Sequence, residues 1–568
     1  MLNKKNRKTR ILWCGESSYL NTGYAVYAKE VLSRLYKTNK YVIAEMGCYA
    51  DVKNPKNQEV PWRFYPTLPT NEQEASKYAS MPKAQFGEWR FEDICLDFEP
   101  DVVIDIRDWW MVEYQERSAF RKFFNWAIMP TVDSRPQQEQ YISTYSSADG
   151  VFTYSEFGKD VLESDSNGEI KIIDIASPGA NFDDLYPSKN KELHRSNFGF
   201  MEDINIIGTV MRNQRRKLYP NLIESFRKML DKNPDIQKNT FLYIHTAHPD
   251  LGWDIPYFIK KYNMGNHTLF TYKCRNCMSF FPSFYHGPKI PCQKCQKGTA
   301  TMPTTAFGVS QKELGDILNW FDLYVQYSIC EGFGMPQVEA AACAIPVVTV
   351  KYSAMESVGK NIKADFVDIA SMFWDNATQS ERAIPDDNEL IEKMTSFIKK
   401  PKALKMKRGM DCYVGVKKHY TWEKTAKIWE RYLDSVVIKP REETWGSEPK
   451  IIQDVGNPPE GLTNESFVKW SLQNIAGMPE KANSYNSLRM IRDLNQGSSF
   501  SGVEGFYYDE MSGASSNAQS PFGRDEAIKK IKEMRDYNNH WETKRYSYQS
   551  LPKPSFLMSV KPDRNISE

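Results

Sequence analysis

Three features of the sequence predict an α/β architecture of two doubly wound, Rossmann-like domains that face one another. Short apolar runs alternate with helical stretches through residues 1–435, the alternation runs twice with a polar, turn-rich break between, and in each series a strand leads through a glycine-bearing turn into a helix. Strands separated by helices imply parallel sheets with crossovers, whose ligands lie beyond the carboxyl ends of the strands. At about 150 residues per unit, 568 residues also suit three or four folding units.

The first domain is expected at 1–190, on the acceptor side of the cleft. RILWCGES (10–17) reads as its first strand, and Ala25, Ala28, Val31, Leu32 and Leu35 fall at helical spacing in 23–36. Strands follow at 41–48, 100–106, 123–133, 150–155 and 170–179, and polar 181–196 reads as a hinge. The second domain is expected at 191–435. Its strands are predicted at 204–212, 240–247, 266–272, 322–328 and 345–350, with helices at 218–230, 311–321, 337–344 and 419–433. Proline opening the helix at 337–344 is suitable, because its missing N–H is not needed there. Residues 436–568 change character: helices at 464–476, 483–495 and 524–543 are separated by Pro-, Gly- and Ser-rich joints, and 496–523 reads as a long loop. This is a helical extension with flexible joints and no legible role.

Composition excludes several classes. The chain is 41% hydrophobic, enough for cores, and its 26% charged residues leave no apolar run near the roughly 18 residues of a spanning helix. The basic start MLNKKNRKTR precedes an apolar stretch too short for a secretory signal, so a cytoplasmic protein without a membrane span is expected. A net charge of +2 does not indicate a globally basic nucleic-acid binder. Cys14, Cys48, Cys95, Cys330, Cys343 and Cys412 are scattered, and read as thiols rather than disulfides.

The most informative stretch is EGFGMPQVEAAACAIPVVTV (331–350), in which Glu331 and Glu339 bracket seven residues at a strand-to-helix turn. Gly332 and Gly334 allow the backbone close to a ligand and free amides at a helix start. The glutamates could accept hydrogen bonds from sugar hydroxyls, or be one surface and one capping residue. The whole string resembles the signature of the retaining GT-B glycosyltransferases of family 4. GTVMRNQRRKLYPNLIESF (208–226) is similar to the family's strand-Arg-x4-Lys-helix segment, SPGANFDDLYP (177–187) to the stretch before its interdomain linker, and TGYAVYAKEVL (22–32) to its first glycine loop. The resemblance covers roughly residues 10–435.

It implies a GT-B fold and a nucleoside-diphosphate sugar as donor. Arg212 and Lys217 would stabilise the leaving diphosphate, Glu331 would hold the donor sugar, Glu339 the ribose, Gly332, Phe333 and Gly334 would approach the sugar through their backbone, and Gly23 would admit the phosphates. Family members often carry a histidine after the strand that here reads NWAIMPTVDSRP; Asp133 stands in that region, as a sugar or acceptor ligand or as a turn cap. Front-face attack, with the leaving phosphate taking the acceptor proton, requires no carboxylate nucleophile, and no catalytic metal is expected.

Cys274-x2-Cys277, fourteen intervening residues and Cys292-x2-Cys295 have the spacing of a four-cysteine zinc ribbon, an insert at 273–298 whose zinc would be structural. From 257 to 300 lie Lys260, Lys261, Lys273, Arg275, Lys289, Lys294 and Lys297 and no Asp or Glu, interleaved with Tyr272, Phe280, Phe281, Phe284 and Tyr285. These could bind a nucleic-acid strand, or the aromatics could fill the ribbon's core while the lysines keep it soluble. Three functions follow: sugar transfer to a saccharide, lipid-linked or protein acceptor; the same chemistry on a hydroxylated base in DNA, as certain bacteriophage enzymes perform; or an inactive GT-B fold kept as a binding module.

Overall fold

The structure, a computed structural model, describes residues 7–81, 83–304, 306–500 and 519–559; the start of the basic N-terminal stretch and most of the predicted 496–523 loop lie outside the described residues. Two parallel sheets dominate it. The first contains β1 (Thr9–Glu16), β2 (Tyr41–Cys48), β3 (Arg63–Pro66), β4 (Val102–Asp105), β5 (Asn125–Ile128), β6 (Gly150–Thr153) and β7 (Ile172–Ile175), in the order β3-β2-β1-β4-β5-β6-β7. Ile11, Leu12, Trp13 and Cys14 of β1 are all fully buried. A strand at the middle of a sheet covered on both faces must be apolar on both sides, so its sequence is a continuous run without alternation.

The second sheet contains β8 (Asn205–Val210), β9 (Thr240–His245), β10 (Thr268–Cys274), β11 (Phe280–Phe284), β12 (Lys289–Ile290), β13 (Ala300–Thr301), β14 (Leu323–Gln326), β15 (Val347–Val350) and β16 (Asp365–Val367). Its parallel part runs β10-β9-β8-β14-β15-β16, while β11, β12 and β13 join antiparallel beyond β10. Both sheets thus reverse direction next to their first strand, between β1 and β4 and between β8 and β14. Such switch points open a crevice at the carboxyl ends of the flanking strands.

The halves are tied by chain that crosses back. Helix Trp422–Ser435 leaves the second half and packs on helix Gly23–Lys37 of the first. Fully buried Trp429 meets Trp13 and Phe152 at ring distances of 5.8 and 4.1 Å and donates its indole N–H to the Tyr27 hydroxyl at 2.7 Å. Gly179 permits the crossing, since a Cβ there would lie 2.3 Å from the Trp422 amide nitrogen.

Several parts depart from expectation, three of them near the cleft or the extension. The predicted hinge at 181–196 ends in helix Lys191–Ser196, docked through Arg195 on Asp322 and the Trp320 carbonyl, so its second half is packed. A hairpin of β17 (Ile369–Asp375) and β18 (Ser380–Pro385) was not expected; β17 is exposed along most of its length, which leaves no alternation to read. The C-terminal helices are Asn464–Asn474, Tyr485–Gln496 and Arg524–Ser547, close to the predicted spans, and described chain before, within and after them is anchored on the first half. Trp445 is buried between Phe120 and Phe123, Lys544 pairs with Asp93 at 2.6 Å, and the Phe556 ring covers the Arg90 guanidinium at 3.8 Å. The extension therefore cladds the first sheet's helical layer. No helix among the described residues is long and apolar enough to cross a membrane.

Truncating Trp429 removes the largest side chain of the crossing and orphans the Tyr27 contact. Trp429→Ala is expected to cost about 3–5 kcal/mol, read as a lowered urea midpoint of first-domain tryptophan fluorescence.

Candidate functional site in the interdomain cleft

Lys217 follows β8 and Glu331 follows β14, so the second switch point places them face to face. The Lys217 ammonium contacts Glu331 Oε1 directly, Arg216 donates to Oε2 at 2.9 Å and Gln326 donates to Oε1 at 2.7 Å. Gln326 is itself oriented by the Tyr324 hydroxyl, which donates to its Oε1 at 2.6 Å. Lys217 and Glu331 are each 5% exposed. Burial first, and then the neighbouring Arg216 guanidinium, pull the Lys217 ammonium below its ordinary range, against the opposing pull of Asp133. The result is a compact charged cluster with one carboxylate and two cations.

Arg212 stands apart from it. Its guanidinium pairs with Asp250 at 3.0 Å, half exposed, on the loop after β9. Arg216, one of the basic residues around the motif, takes the inward position instead. A run of arginines carries no signal of which one turns in; that depends on where the chain bends after β8.

The glycine string lines the cleft from the same side. Gly334, at φ +82°, caps helix Met335–Ala342. A Cβ on Gly332 would lie 2.4 Å from Thr131 Cγ2 of the first domain, and one on Gly23 would lie 3.7 Å from Met335 Sδ, so both positions face the opposing domain. The Phe333 ring is 5% exposed and meets Tyr420 edge-on at 5.4 Å, which leaves its backbone as the part turned to the cleft. Glu339 is buried, accepts from Gln311 Nε2 at 3.3 Å, and is shifted upward by that burial against the Gln311 contact.

Across the cleft, Asp133 accepts from Arg382 of β18 at 2.6 Å and from the Cys330 thiol at 3.3 Å. Burial alone would raise Asp133, but the Arg382 and Arg216 guanidinium groups hold it below the usual carboxylate range. As placed, it caps no turn: it is one half of an interdomain ion pair. Arg382 is invisible to sequence reasoning because it reaches the cleft on the unexpected hairpin. Asp108 adds a further, partly buried carboxyl, pushed up to about 6 chiefly by desolvation.

The four cysteines predicted as ligands converge. Their sulfur atoms all lie within 4.8 Å of one another, with Cys274–Cys295 and Cys277–Cys292 at 3.6 Å. Tetrahedral thiolates on zinc lie about 3.8 Å apart given a metal–sulfur distance of about 2.3 Å, so the cluster fits that ion. Each half is built alike: Asn276 N–H points to Cys274 Sγ at 3.3 Å and Lys294 N–H to Cys292 Sγ at 3.4 Å. The interleaved aromatics turn inward, with Tyr272 and Phe281 buried and Phe280 stacked on Trp320, while Arg275, Lys289, Lys294 and Lys297 are exposed. Tyr272 and Phe281 are thereby taken up in the second half's core, while Phe280, Phe284 and Tyr285 are half-buried against it. The remaining six cysteines are free and buried.

These features define an α/β protein of the GT-B type, two Rossmann-like sheets with a helical C-terminal region. Residues 296–405 match the family model described as glycosyl transferases group 1, a segment that begins immediately after Cys295 and contains Glu331 to Glu339. No curated protein sequence matches the chain. Among solved structures, it is similar to sucrose-phosphate synthase from Thermosynechococcus elongatus, at 15% identity and a TM-score of 0.55, covering 75% of this chain and 98% of that one. It is similar to Anabaena Alr3699/HepE, solved in complex with UDP and glucose, at 12% identity and a TM-score of 0.52, covering 75% and 100%. A trehalose-6-phosphate protein from E. coli bound with UDP-2-fluoro glucose matches at 12% identity and a TM-score of 0.51, covering 76% and 100%.

The Asp133–Arg382 pair generates a pH-dependent expectation. Because the folded pKa of Asp133 is depressed, its contribution is complete above the ordinary carboxylate value and is lost as pH falls through the lower folded value. Asp133→Asn should cost about 1.5–3 kcal/mol at neutral pH, with the difference from wild type in denaturant titrations shrinking below about pH 4.

Proposed function

We propose that the chain is a retaining glycosyltransferase of family 4 that moves a sugar from a nucleoside-diphosphate sugar to an acceptor hydroxyl. The observation that carries this reading is the cluster of buried Lys217 and Glu331 with half-buried Arg216 at the second switch point, with Glu331 inside the segment that matches the group 1 family model. A diphosphate entering there meets two cations whose charge is so far balanced by a single carboxylate, and the helix start at Gly334. Lys217 and Arg216, with Arg212 swinging from Asp250, stabilise the charge that develops on the leaving phosphate. Glu331, fixed by three donors, is the acceptor for the donor sugar's hydroxyls, and Glu339 holds the ribose. The backbone at Gly332, Phe333 and Gly334 lies along the sugar, and Gly23 leaves room for the phosphates from the first domain. The acceptor hydroxyl attacks the anomeric carbon on the face from which the diphosphate departs, and a departing phosphate oxygen takes its proton. Asp133 acts in this scheme by holding the domains at their working separation through Arg382.

Cys274, Cys277, Cys292 and Cys295 are proposed to hold one structural zinc, which with four thiolates has no open position for chemistry. The acceptor is a hydroxyl-bearing saccharide, lipid-linked glycan or protein.

A donor screen tests the reading: incubation with several nucleotide sugars should show one preferentially bound or hydrolysed. Lys217→Ala should lower kcat/KM by about 10²–10³-fold, and Glu339→Ala should raise the donor KM, both in variants that remain folded by circular dichroism; wild-type kcat/KM in either refutes the assignment. Metal analysis should find one zinc per chain, and zinc-replete protein should need no added divalent cation. A strict requirement for one defeats the metal-free mechanism.

A further inference from the structure

Glu339 differs from Glu331 and Asp133 in having no ion pair among the described residues; its hydrogen-bond partner is the Gln311 side chain. An ionised carboxylate only accepts, so the Gln311 amide must present Nε2 to it, and Oε1 is then turned away. That Oε1 is buried and meets no donor. The partly buried Gln311 amide thus leaves a carboxylate and, one amide width away, an unpaired buried carbonyl oxygen, two acceptors for two donors. Leaving such an acceptor unmade costs about 1–3 kcal/mol, so the site favours a ligand that supplies the hydrogens.

We propose that Gln311 and Glu339 form a two-acceptor clamp that reads the vicinal 2′,3′-diol of a ribonucleotide, and that the four-cysteine ribbon fixes the clamp's geometry. The proposal rests on the reading of Glu339 as a ribose contact. Gln311 opens helix Gln311–Leu318, whose capping box joins Ser310 and Glu313. Lys273, the neighbour of Cys274, reaches from β10 to that helix start: it is 5% exposed and donates to Glu313 Oε2 at 2.7 Å and to the Gly308 carbonyl at 3.0 Å. The Arg275 guanidinium, on the other side of Cys274, lies over the Phe307 ring at 4.4 Å. Both residues flanking Cys274 therefore grip the segment that delivers Gln311. A Cβ on Gly308 would stand 3.4 Å from Asn21 Nδ2, so the same segment also lies against the first domain's glycine-bearing turn. Gln311 is a specificity-determining residue in this scheme, and Lys273 a positioning residue.

The test uses full-length, zinc-loaded protein and isothermal titration with UDP, GDP and ADP, then the tightest binder's 2′-deoxy counterpart and inorganic pyrophosphate. Wild type should prefer the ribonucleotide to the deoxynucleotide by at least tenfold. Gln311→Ala should lose about tenfold in ribonucleotide affinity and most of the preference over the deoxynucleotide, with pyrophosphate affinity unchanged. Lys273→Met should keep its zinc by metal analysis yet weaken ribonucleotide binding severalfold, again sparing pyrophosphate. If Glu339→Gln binds the ribonucleotide like wild type, the ribose reading itself falls. If Glu339→Gln weakens binding while Gln311→Ala leaves both nucleotide affinities unchanged, the clamp alone is overturned. Zinc-loaded Lys273→Met with wild-type affinity overturns the link to the ribbon.

Discussion

Glu331 lies buried between the carboxyl ends of β8 and β14, with Lys217 and Gln326 on one oxygen and Arg216 on the other. A charge in that position is stable only while its partners are held around it, because breaking a buried pair leaves an uncompensated ion at a cost of several kcal/mol. The cluster therefore dictates its surroundings. The chain after β8 must return far enough to bring Lys217 beside Ser328, where a backbone bridge forms. Tyr324 in β14 must orient Gln326. Two fixed cations against one carboxylate leave a local positive excess where a diphosphate is proposed to sit.

A cleft between two sheets acts as a site only if the sheets keep their distance, and this protein spends several structures on that. Helix Trp422–Ser435 returns to the first half and buries Trp429 there. Hairpin β17–β18 reaches across the cleft, where Arg382 meets Asp133 and Ser380 meets Ser134 at 2.9 Å. The C-terminal extension braces the first half from outside through Trp445, Lys544 and Phe556. Each contact is made by chain remote in sequence from its partner.

The four-cysteine insert is continuous with this scaffold. Cys274 is the last residue of β10, so the four-cysteine unit grows directly out of a strand whose carboxyl end faces the cleft. Its Phe280 ring packs on Trp320 and Phe198 of the second half. Its basic residues divide by burial: Lys273 is consumed in holding the helix at Gln311, whereas Lys289, Lys294 and Lys297 remain in solvent. A charge count along the insert could not separate these two kinds of lysine.

Much was legible in the sequence because it is local. The parallel α/β pattern follows from periodicity, since a strand covered on both faces shows as a continuous apolar run and its crossover as a helical stripe. The spacing of Glu331 and Glu339 and the glycines between them specify a strand-to-helix turn, and the two Cys-x2-Cys knuckles bring four sulfurs together whatever surrounds them. Arg216, Arg382 and Gln311 were beyond reach, as was the engagement of Asp133, because each depends on a contact between distant segments. A basic run does not reveal which arginine turns inward, and an exposed hairpin has no apolar period to announce it. The sequence by itself determined the fold class, the turn motif and the cysteine cluster, all set by short-range sterics and spacing. Only the tertiary structure decided which charges meet across the cleft, because burial and pairing belong to residues that become neighbours only after folding.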